Sequence, residues 1–415
     1  SIWLFDNFLV SLSLLIFLLV LFDLALRRRI FVVKRKLKVV AIIFLFLLLP
    51  FSFPTLSQQT NQERKTPIAN KVIIITFDGT RADTFWNTEH WITQHRDEGA
   101  WAEKIACTYP TITYPNHVSI VTGTWPQIHK CEMNRGYKEY RHPLILRSYS
   151  KPVSEDIFEV AERYGIKTGI FIAPSVLAND IGTQNTYRDG YDGSETDMAD
   201  LISYIEKNRE EIEDSGFLAL LHLPDSDDKV HEYSTYSDEY KNAIKAQANM
   251  VGDLIGKIVE LGWENDTIIF VTADHGALGY RHFNSFPPTV CDVPLWVWGG
   301  PVKKGFRLKG GRLIDIGVTV AFALGIPIPS DAVGVVLYRI FREDVLREKR
   351  GISNVEDLIL SEYRASVYMA YVECVKYLLG FSILVIGLML VVVDVLKLRK
   401  EMRSLIMKFG SKVVG

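Results

Sequence analysis

The chain reads as an α/β protein built on a mostly parallel sheet with helices on both faces, plus three transmembrane helices. Three observations carry this reading. Short β-branched runs alternate with amphipathic runs across residues 57–370, the pattern of a parallel sheet covered on both sides. Long apolar runs lie only outside that stretch. Basic residues gather beside those apolar runs, as they do at the cytoplasmic edge of membrane proteins.

The elements follow in order. Residues 3–26, WLFDNFLVSLSLLIFLLVLFDLAL, are long enough to cross a bilayer. Residues 39–56 form a shorter run ended or kinked by Pro50. Two runs in tandem, with no small-residue cleavage site after the first, do not fit a cleaved signal peptide. Between them lie Arg27, Arg28, Arg29, Lys34, Arg35, Lys36 and Lys38. A third run, Tyr377 to Val393, is followed by Lys397, Arg399, Lys400, Arg403, Lys408 and Lys412. The positive-inside rule puts both basic clusters in the cytoplasm. The expected organisation is a membrane hairpin at 1–56, a linker at 57–70 and a catalytic domain at 71–340. A helical connector (341–370), a membrane helix (371–396) and a basic tail (397–415) complete it. The domain then faces the extracytoplasmic side of a multi-pass cell-membrane protein.

Within the external part, Lys71–Phe77 (KVIIITF) is a buried strand by its β-branched run. Lys167–Ile172, Phe217–Leu221, Thr267–Thr272 and Pro294–Trp298 repeat the pattern. Val153–Tyr164 and Asp238–Gly262 read as amphipathic helices.

Composition narrows the function. The 415 residues hold 47 Lys+Arg and 49 Asp+Glu, a net charge of −2. The average conceals a split: residues 57–370 hold 33 basic and 44 acidic residues, and the basic excess lies in the membrane parts. An acidic exterior excludes a nucleic-acid polymer as the expected partner. Twenty-two Phe, 18 Tyr and 8 Trp exclude disorder, and 4 Cys are too few for a disulfide scaffold. Three of them, Cys107, Cys131 and Cys291, are external, and a 107–131 bridge is one possible pairing. The triplet Asn265-Asp266-Thr267 has the form of a glycosylation sequon.

In open α/β sheets, ligands bind beyond the carboxyl ends of the strands. Three of the expected strands end in ligand-type residues. KVIIITF runs into Asp78-Gly79, FLALLHLP into Asp225-Ser226-Asp227, and TIIFVTA into Asp274-His275-Gly276. One such ending is an ordinary turn or cap; three on one sheet edge form a constellation. Asp227 and His231 lie at i and i+4, and His282 follows in YRHFN. Mixed Asp and His ligation suits Zn²⁺ or Mn²⁺ better than Mg²⁺ or Ca²⁺. The set is large enough for two divalent metal ions, an arrangement that clamps attacking and leaving oxygens at phosphorus or sulfur. Thr113 precedes Tyr114-Pro115-Asn116-His117, and Pro near a first turn signals a helix start. Taken alone, Thr113 is an N-cap; beside two metals it becomes a nucleophile.

These residues resemble the alkaline phosphatase superfamily, and within it the type I phosphodiesterase/nucleotide pyrophosphatase branch. The carriers are Asp78-Gly79, PTITYPNHVSIVTGTWPQIH, PDSDDKVH at 224–231 and Asp274-His275-Gly276, in order over residues 72–282. Residues 315–337 resemble the closing segment of the same superfamily. The resemblance implies an alkaline-phosphatase-like fold and a two-zinc phosphodiesterase acting on a phosphate diester, such as a nucleotide or a lipid head group. One metal would take Asp227, His231 and His282. The other would take Asp78, Asp274, His275 and the Thr113 oxygen. Thr113 would form a phospho-threonine intermediate, and Asn134 would donate to a non-bridging phosphate oxygen. The branch usually has Gly where Val230, Lys130 and Phe283 stand here.

Two other readings remain. Membrane-anchored members of the superfamily move phosphoethanolamine-type groups between a lipid and a glycan, and the membrane helices on both flanks suit such a phosphotransferase. A non-catalytic scaffold of the same fold is the other. A sulfatase is excluded because Cys107-Thr108-Tyr109-Pro110-Thr111 lacks the Cys-x-Pro-x-Arg spacing.

Overall fold

The computed structural model describes residues 63–132, 152–172, 175–189, 193–282 and 287–413. Contacts divide the chain after Val345 into two units.

The first unit is organised by β1 (Lys71–Phe77), whose seven residues are all buried. Its neighbours are β5 (Phe217–Leu223) and β6 (Thr267–Thr272), both parallel to it. β3 (Lys167–Phe171) and β4 (Tyr187–Asp189) extend one side. β7 (Asp292–Trp298), β2 (Ala100–Ala106) and β8 (Phe306–Leu308) extend the other, giving the order β4-β3-β5-β1-β6-β7-β2-β8. The expected strands are all present, and β5 and β7 are each two residues longer.

The sheet is mostly parallel, as expected, and β7 is the one reversed strand among those described. β7 runs antiparallel to both β6 and β2. A parallel return needs a crossover element that spans the sheet. Among its described residues, the β6–β7 connection offers only the four-residue helix Pro288–Cys291, so the chain turns back at the edge it has just reached. The strand β2, which sequence reading missed, exposes Glu103 and Lys104 and so lacks an unbroken apolar run.

Alternate side chains of β1 face opposite sides of the sheet. Ile73, Ile75 and Phe77 share a core cluster with Leu201 and Ile205 of α3 (Ser194–Lys207). Val251, Leu254 and Ile258 of α5 (Asp238–Glu260) join the same cluster. Thr76 points the other way, its hydroxyl 2.8 Å from His117 Nε2 of α1 (Thr113–Thr122). Helix α6 (Ile314–Leu324) packs on α1 and β1. Both faces are therefore covered, as expected.

Helix α2 (Ile157–Arg163) starts four residues later than the apolar pattern suggests. Asp156 sets the start: it accepts from Phe158 N and Glu159 N, and Glu159 accepts from Asp156 N. Asp156 is buried and also accepts from Gly182 N at 2.8 Å. Asp156→Ala leaves three backbone donors without this acceptor, and a cap plus an unsatisfied buried donor costs about 1–3 kcal/mol. A lower urea midpoint for the variant is the expected result; an unchanged midpoint contradicts it.

The stretch 57–70 was expected to be a linker. Its described part is tied down instead: Ile68 N donates to Ala323 O, Arg64 Nε to Leu324 O, and Ile68 and Ala69 are fully buried.

In the second unit, α8 (Val355–Val413) is one continuous helix. It runs through the expected connector, membrane helix and tail. Its stretch Val355–Ser404 is long and apolar enough to cross a membrane, with none of its most apolar window buried. Leu378, Phe381 and Met389 are among its exposed apolar side chains. Of the three expected membrane helices, this is the one found among the described residues. The runs 3–26 and 39–56 lie outside them.

Candidate metal centre at the sheet edge

The order β5-β1-β6 brings three parallel strands side by side. Their carboxyl ends therefore share one edge. Asp78 follows β1, Asp227 lies in α4 (Asp225–Tyr233) after β5, and Asp274-His275 follows β6.

Each segment has a local reason for its path. Gly79 has φ +63°, and a Cβ there would lie 2.5 Å from Asp227 Oδ1, so a side chain would push that carboxylate away. Tyr240 OH donates to Gly79 O and accepts from Arg81 N, both at 2.9 Å. Ser226 Oγ donates to Asp78 O at 2.6 Å. These bonds hold the turn after β1. Asp225 is drawn aside, accepting from Ser194 N at 3.2 Å, so Asp227 supplies the carboxylate at the site. Helix α1 begins at Thr113 and ends at Gly123, φ +66°, where a Cβ would meet Val318. The nucleophile candidate thus sits at the first residue of a helix, where free backbone N–H groups favour an anion.

The geometry converges. Thr113 Oγ1 is 3.4 Å from Asp78 Oδ2 and 3.5 Å from His275 Nε2. His275 Nε2 is 3.4 Å from both Asp78 Oδ1 and Asp274 Oδ2. His231 Nε2 is 3.1 Å from Asp227 Oδ2, and His282 Nε2 is 3.7 Å from Asp227 Oδ1. The rings of His275 and His282 stack at 4.0 Å. Asp78, Asp274 and His275 can share one ion, and so can Asp227, His275 and His282. His275 therefore touches both groups, whereas the resemblance assigns it to one. His231 joins through Asp227. Asn134 lies outside the described residues.

The three imidazoles have a common orientation. Nδ1 of His231 lies 3.0 Å from Tyr280 O, that of His275 lies 3.1 Å from Gly276 O, and that of His282 lies 2.8 Å from Thr111 O. A neutral ring donating from Nδ1 turns an unprotonated Nε2 toward the carboxylates. Lone pairs then face lone pairs, which is repulsive without a cation between them. Asp78 Oδ1, Asp227 Oδ1 and Asp274 Oδ2 are buried with no hydrogen-bond partner. Buried anionic oxygens of this kind need a cation. The residues present therefore fit divalent metal ions.

The electrostatics agree. Burial raises the Asp78 carboxyl well above the usual range, with Asp274 and Asp227 adding repulsion. Burial likewise raises Asp274 to about 8, again with Asp227 opposing ionisation. Asp227 goes down to about 2 despite its burial, because His231 hydrogen-bonds it and His282 and His275 lie close. That same bond raises His231 to about 9, so a proton takes the cation's place there. Burial lowers His282 to about 4, leaving it neutral and ready to ligate.

Two residues were not singled out from sequence. His222 Nε2 lies 3.0 Å from Asp78 Oδ2. His117 Nδ1 lies 2.8 Å from Thr113 O, and the two rings meet edge to face at 4.8 Å. With Asp274 they form a third group close enough to hold an ion. The available signal was a His inside an otherwise apolar buried strand, FLALLHL. A second was a His at i+4 from Thr113.

Comparison with known proteins places this geometry. In the human ectonucleotide pyrophosphatase/phosphodiesterase family member 1, 216 residues align at 26% identity, 49% of this chain and 23% of the relative. In the GPI ethanolamine phosphate transferase 1 of Saccharomyces cerevisiae, 328 residues align at 24% identity, 66% of this chain and 34% of the relative. The chain thus spans a quarter to a third of the length of these relatives. A solved structure of the alkaline phosphatase PafA superimposes with a TM-score of 0.50 at 12% identity, covering 66% of this chain and 99% of that one. That likeness supports an alkaline-phosphatase-like α/β fold. The family model for type I phosphodiesterase/nucleotide pyrophosphatase matches residues 72–287, just over half of the chain and all of the described candidate ligands. The chain belongs to the type I phosphodiesterase/nucleotide pyrophosphatase family.

Proposed function

We propose that this chain is a membrane-anchored, externally facing two-zinc phosphodiesterase with Thr113 as nucleophile. The observation that carries the proposal is the convergence of three carboxylates and three imidazole Nε2 atoms beside the Thr113 hydroxyl. Asp227, His231 and His282 would hold one ion; Asp78, Asp274, His275 and the Thr113 oxygen would hold the other. Two such ions, when bound, would supply Lewis acidity toward the phosphoryl oxygens and lower the pKa of the threonine hydroxyl.

The chain's own residues do the rest. The first turn of α1 presents backbone N–H groups to the phosphate. The Thr113 oxygen attacks phosphorus as the bond to one ester oxygen breaks on the opposite side; that oxygen leaves as the alcohol with the proton lost by Thr113, and the phospho-threonine keeps the second ester group. Water then attacks that phosphorus and releases Thr113. Asn134 donates to a non-bridging oxygen. His222 and His117 hold Asp78 and the Thr113 carbonyl in place. The partners are a phosphate diester and the bilayer. The basic residues beside the apolar runs set a multi-pass topology with the domain outside.

A second reading replaces water by an alcohol acceptor, which makes the chain a phosphoethanolamine-type transferase. Two observations favour it: the alignment to the yeast transferase covers more of this chain than that to the human family member 1, and α8 can anchor the domain at a lipid surface.

The test is release of p-nitrophenol from bis-p-nitrophenyl phosphate and from the monoester, with and without chelator, and with a graded alcohol acceptor. Chelator-sensitive diester cleavage is expected. A monoester preference contradicts the diesterase. Alkyl p-nitrophenyl phosphate that forms from the diester in proportion to acceptor selects the transferase.

A further inference from the structure

We propose that Cys107 and Cys291 are a disulfide-forming pair that ties the segment leading to Thr113 to the segment following Asp274-His275. The sheet sets the geometry. In the antiparallel ladder of β2 and β7, Ala106 stands opposite Asp292. One step outward, Cys107 N donates to Cys291 O at 2.8 Å. Cys291 is the last residue of the short helix Pro288–Cys291, and its own N–H donates to Pro287 O at 3.1 Å. The single bond from Cys107 N, one step beyond the Ala106–Asp292 pair, still holds the two residues side by side. Residues joined in this way have Cα atoms near the range of about 4.4–6.8 Å that a disulfide spans.

Cys107 Sγ lies 3.6 Å from Val290 O, the carbonyl just before Cys291. The neighbouring Cys107 lowers the Cys291 thiol to about 7, while Cys291 and burial push the Cys107 thiol up. Cys107 is buried and Cys291 is partly exposed. Cys131 Sγ lies 3.6 Å from His129 O. The 107–291 pairing therefore stands beside the 107–131 bridge that the sequence allowed, and it is the one with a backbone bond between its two residues.

The chemistry is thiol–disulfide exchange with a small or protein-borne disulfide. The Cys291 thiolate attacks one sulfur of the donor and expels the first thiol. Cys107 then attacks the Cys291 sulfur and expels the second. Two cysteine thiols are oxidised, one donor disulfide is reduced to two thiols, and the two protons pass to the leaving thiolates. The bridge fixes the approach to α1 beside the loop in which Gly276 N donates to Val290 O, and so clamps the nucleophile's strand exit to that of the Asp274 ligand. Only the meeting with an oxidant in the cell rests on the external placement proposed above.

The purified full chain in detergent is incubated with oxidised glutathione or with dithiothreitol, alkylated, digested and analysed by mass spectrometry. A Cys107–Cys291 cross-linked peptide pair is expected in the oxidised sample, converting to two alkylated peptides after reduction. The melting temperature falls by several degrees on reduction, and the Cys107→Ser/Cys291→Ser variant loses that redox dependence. Alkylation of both thiols in the oxidised sample, a persistent glutathione adduct on Cys291, or a bridge to Cys131 overturns the proposal. The cross-link is read without turnover, so an inactive phosphodiesterase leaves this result standing. The wild-type peptides decide the question even where the double variant does not fold.

Discussion

Thr113→Ala is expected to lower diester turnover by about a thousandfold or more, the scale seen when a covalent nucleophile is removed from an otherwise intact site. The reason is positional. Thr113 opens α1 and brings its oxygen within 3.5 Å of both Asp78 and His275, and no other hydroxyl is described at that point. The substitution removes one oxygen ligand and leaves the carboxylates and imidazoles in place. Bound metal, measured by emission spectrometry, therefore stays close to the wild-type amount while turnover collapses. Thr113→Ser keeps the oxygen and retains part of the activity. Rapid acid quench of the wild-type enzyme with bis-p-nitrophenyl phosphate traps an adduct of p-nitrophenyl phosphate mass on the peptide that contains Thr113. Wild-type turnover by Thr113→Ala rules the mechanism out.

Metal removal is expected to destabilise the domain, and the effect grows with pH. Burial and neighbouring carboxylates raise Asp78 well above its ordinary range and Asp274 to about 8. A carboxyl whose folded pKa lies above its unfolded value holds its proton better in the folded state. The metal-free fold is then most stable below about pH 4 with respect to these groups and loses that stability as pH rises toward 8. Asp227 has the opposite sign, but its shift to about 2 is complete well below this window. His231 at about 9 also favours the protonated fold, and its contribution fades between about pH 6.5 and 9. Metal ions neutralise the same carboxylates and replace the protons. The gap in melting temperature between metal-loaded and chelator-treated protein should widen from pH 6 to pH 8. A gap that narrows over that interval contradicts the assignment of Asp78 and Asp274 to a metal site. Asp274→Asn supplies an internal control: it removes one repulsive charge, so its metal-free form loses less stability with pH while its metal affinity falls.

Much of the candidate site was legible because its carboxylates follow strand ends. A buried β-branched run is a strong signal, and KVIIITF, FLALL and TIIFVT each lead directly into Asp78, Asp227 or Asp274. The i,i+4 spacing of Asp227 and His231 puts both on one face of α4. His222 and His117 were harder to see. Each lies inside an element that is buried anyway, so its only marks are a polar residue in the apolar run FLALLHL and an i+4 spacing from Thr113. Strand β2 escaped because its exposed Glu103-Lys104 pair interrupts the alternation. The direction of β7 also escaped: strand propensity is the same for both directions, and only its pairing with β6 and β2 decides it.

The sequence by itself determined the family, the chemical type of the ligands and the sheet edge on which they gather. Those follow from residue identity and from periodicity, which are local. Only the tertiary structure decided which carboxylate of Asp225 and Asp227 enters the site, that His275 touches both ligand groups, and that Cys107 N donates to Cys291 O. Such choices depend on register between strands distant in the chain and on turns such as Gly79. The free energy that fixes them comes from packing across the sheet, which the local pattern does not encode.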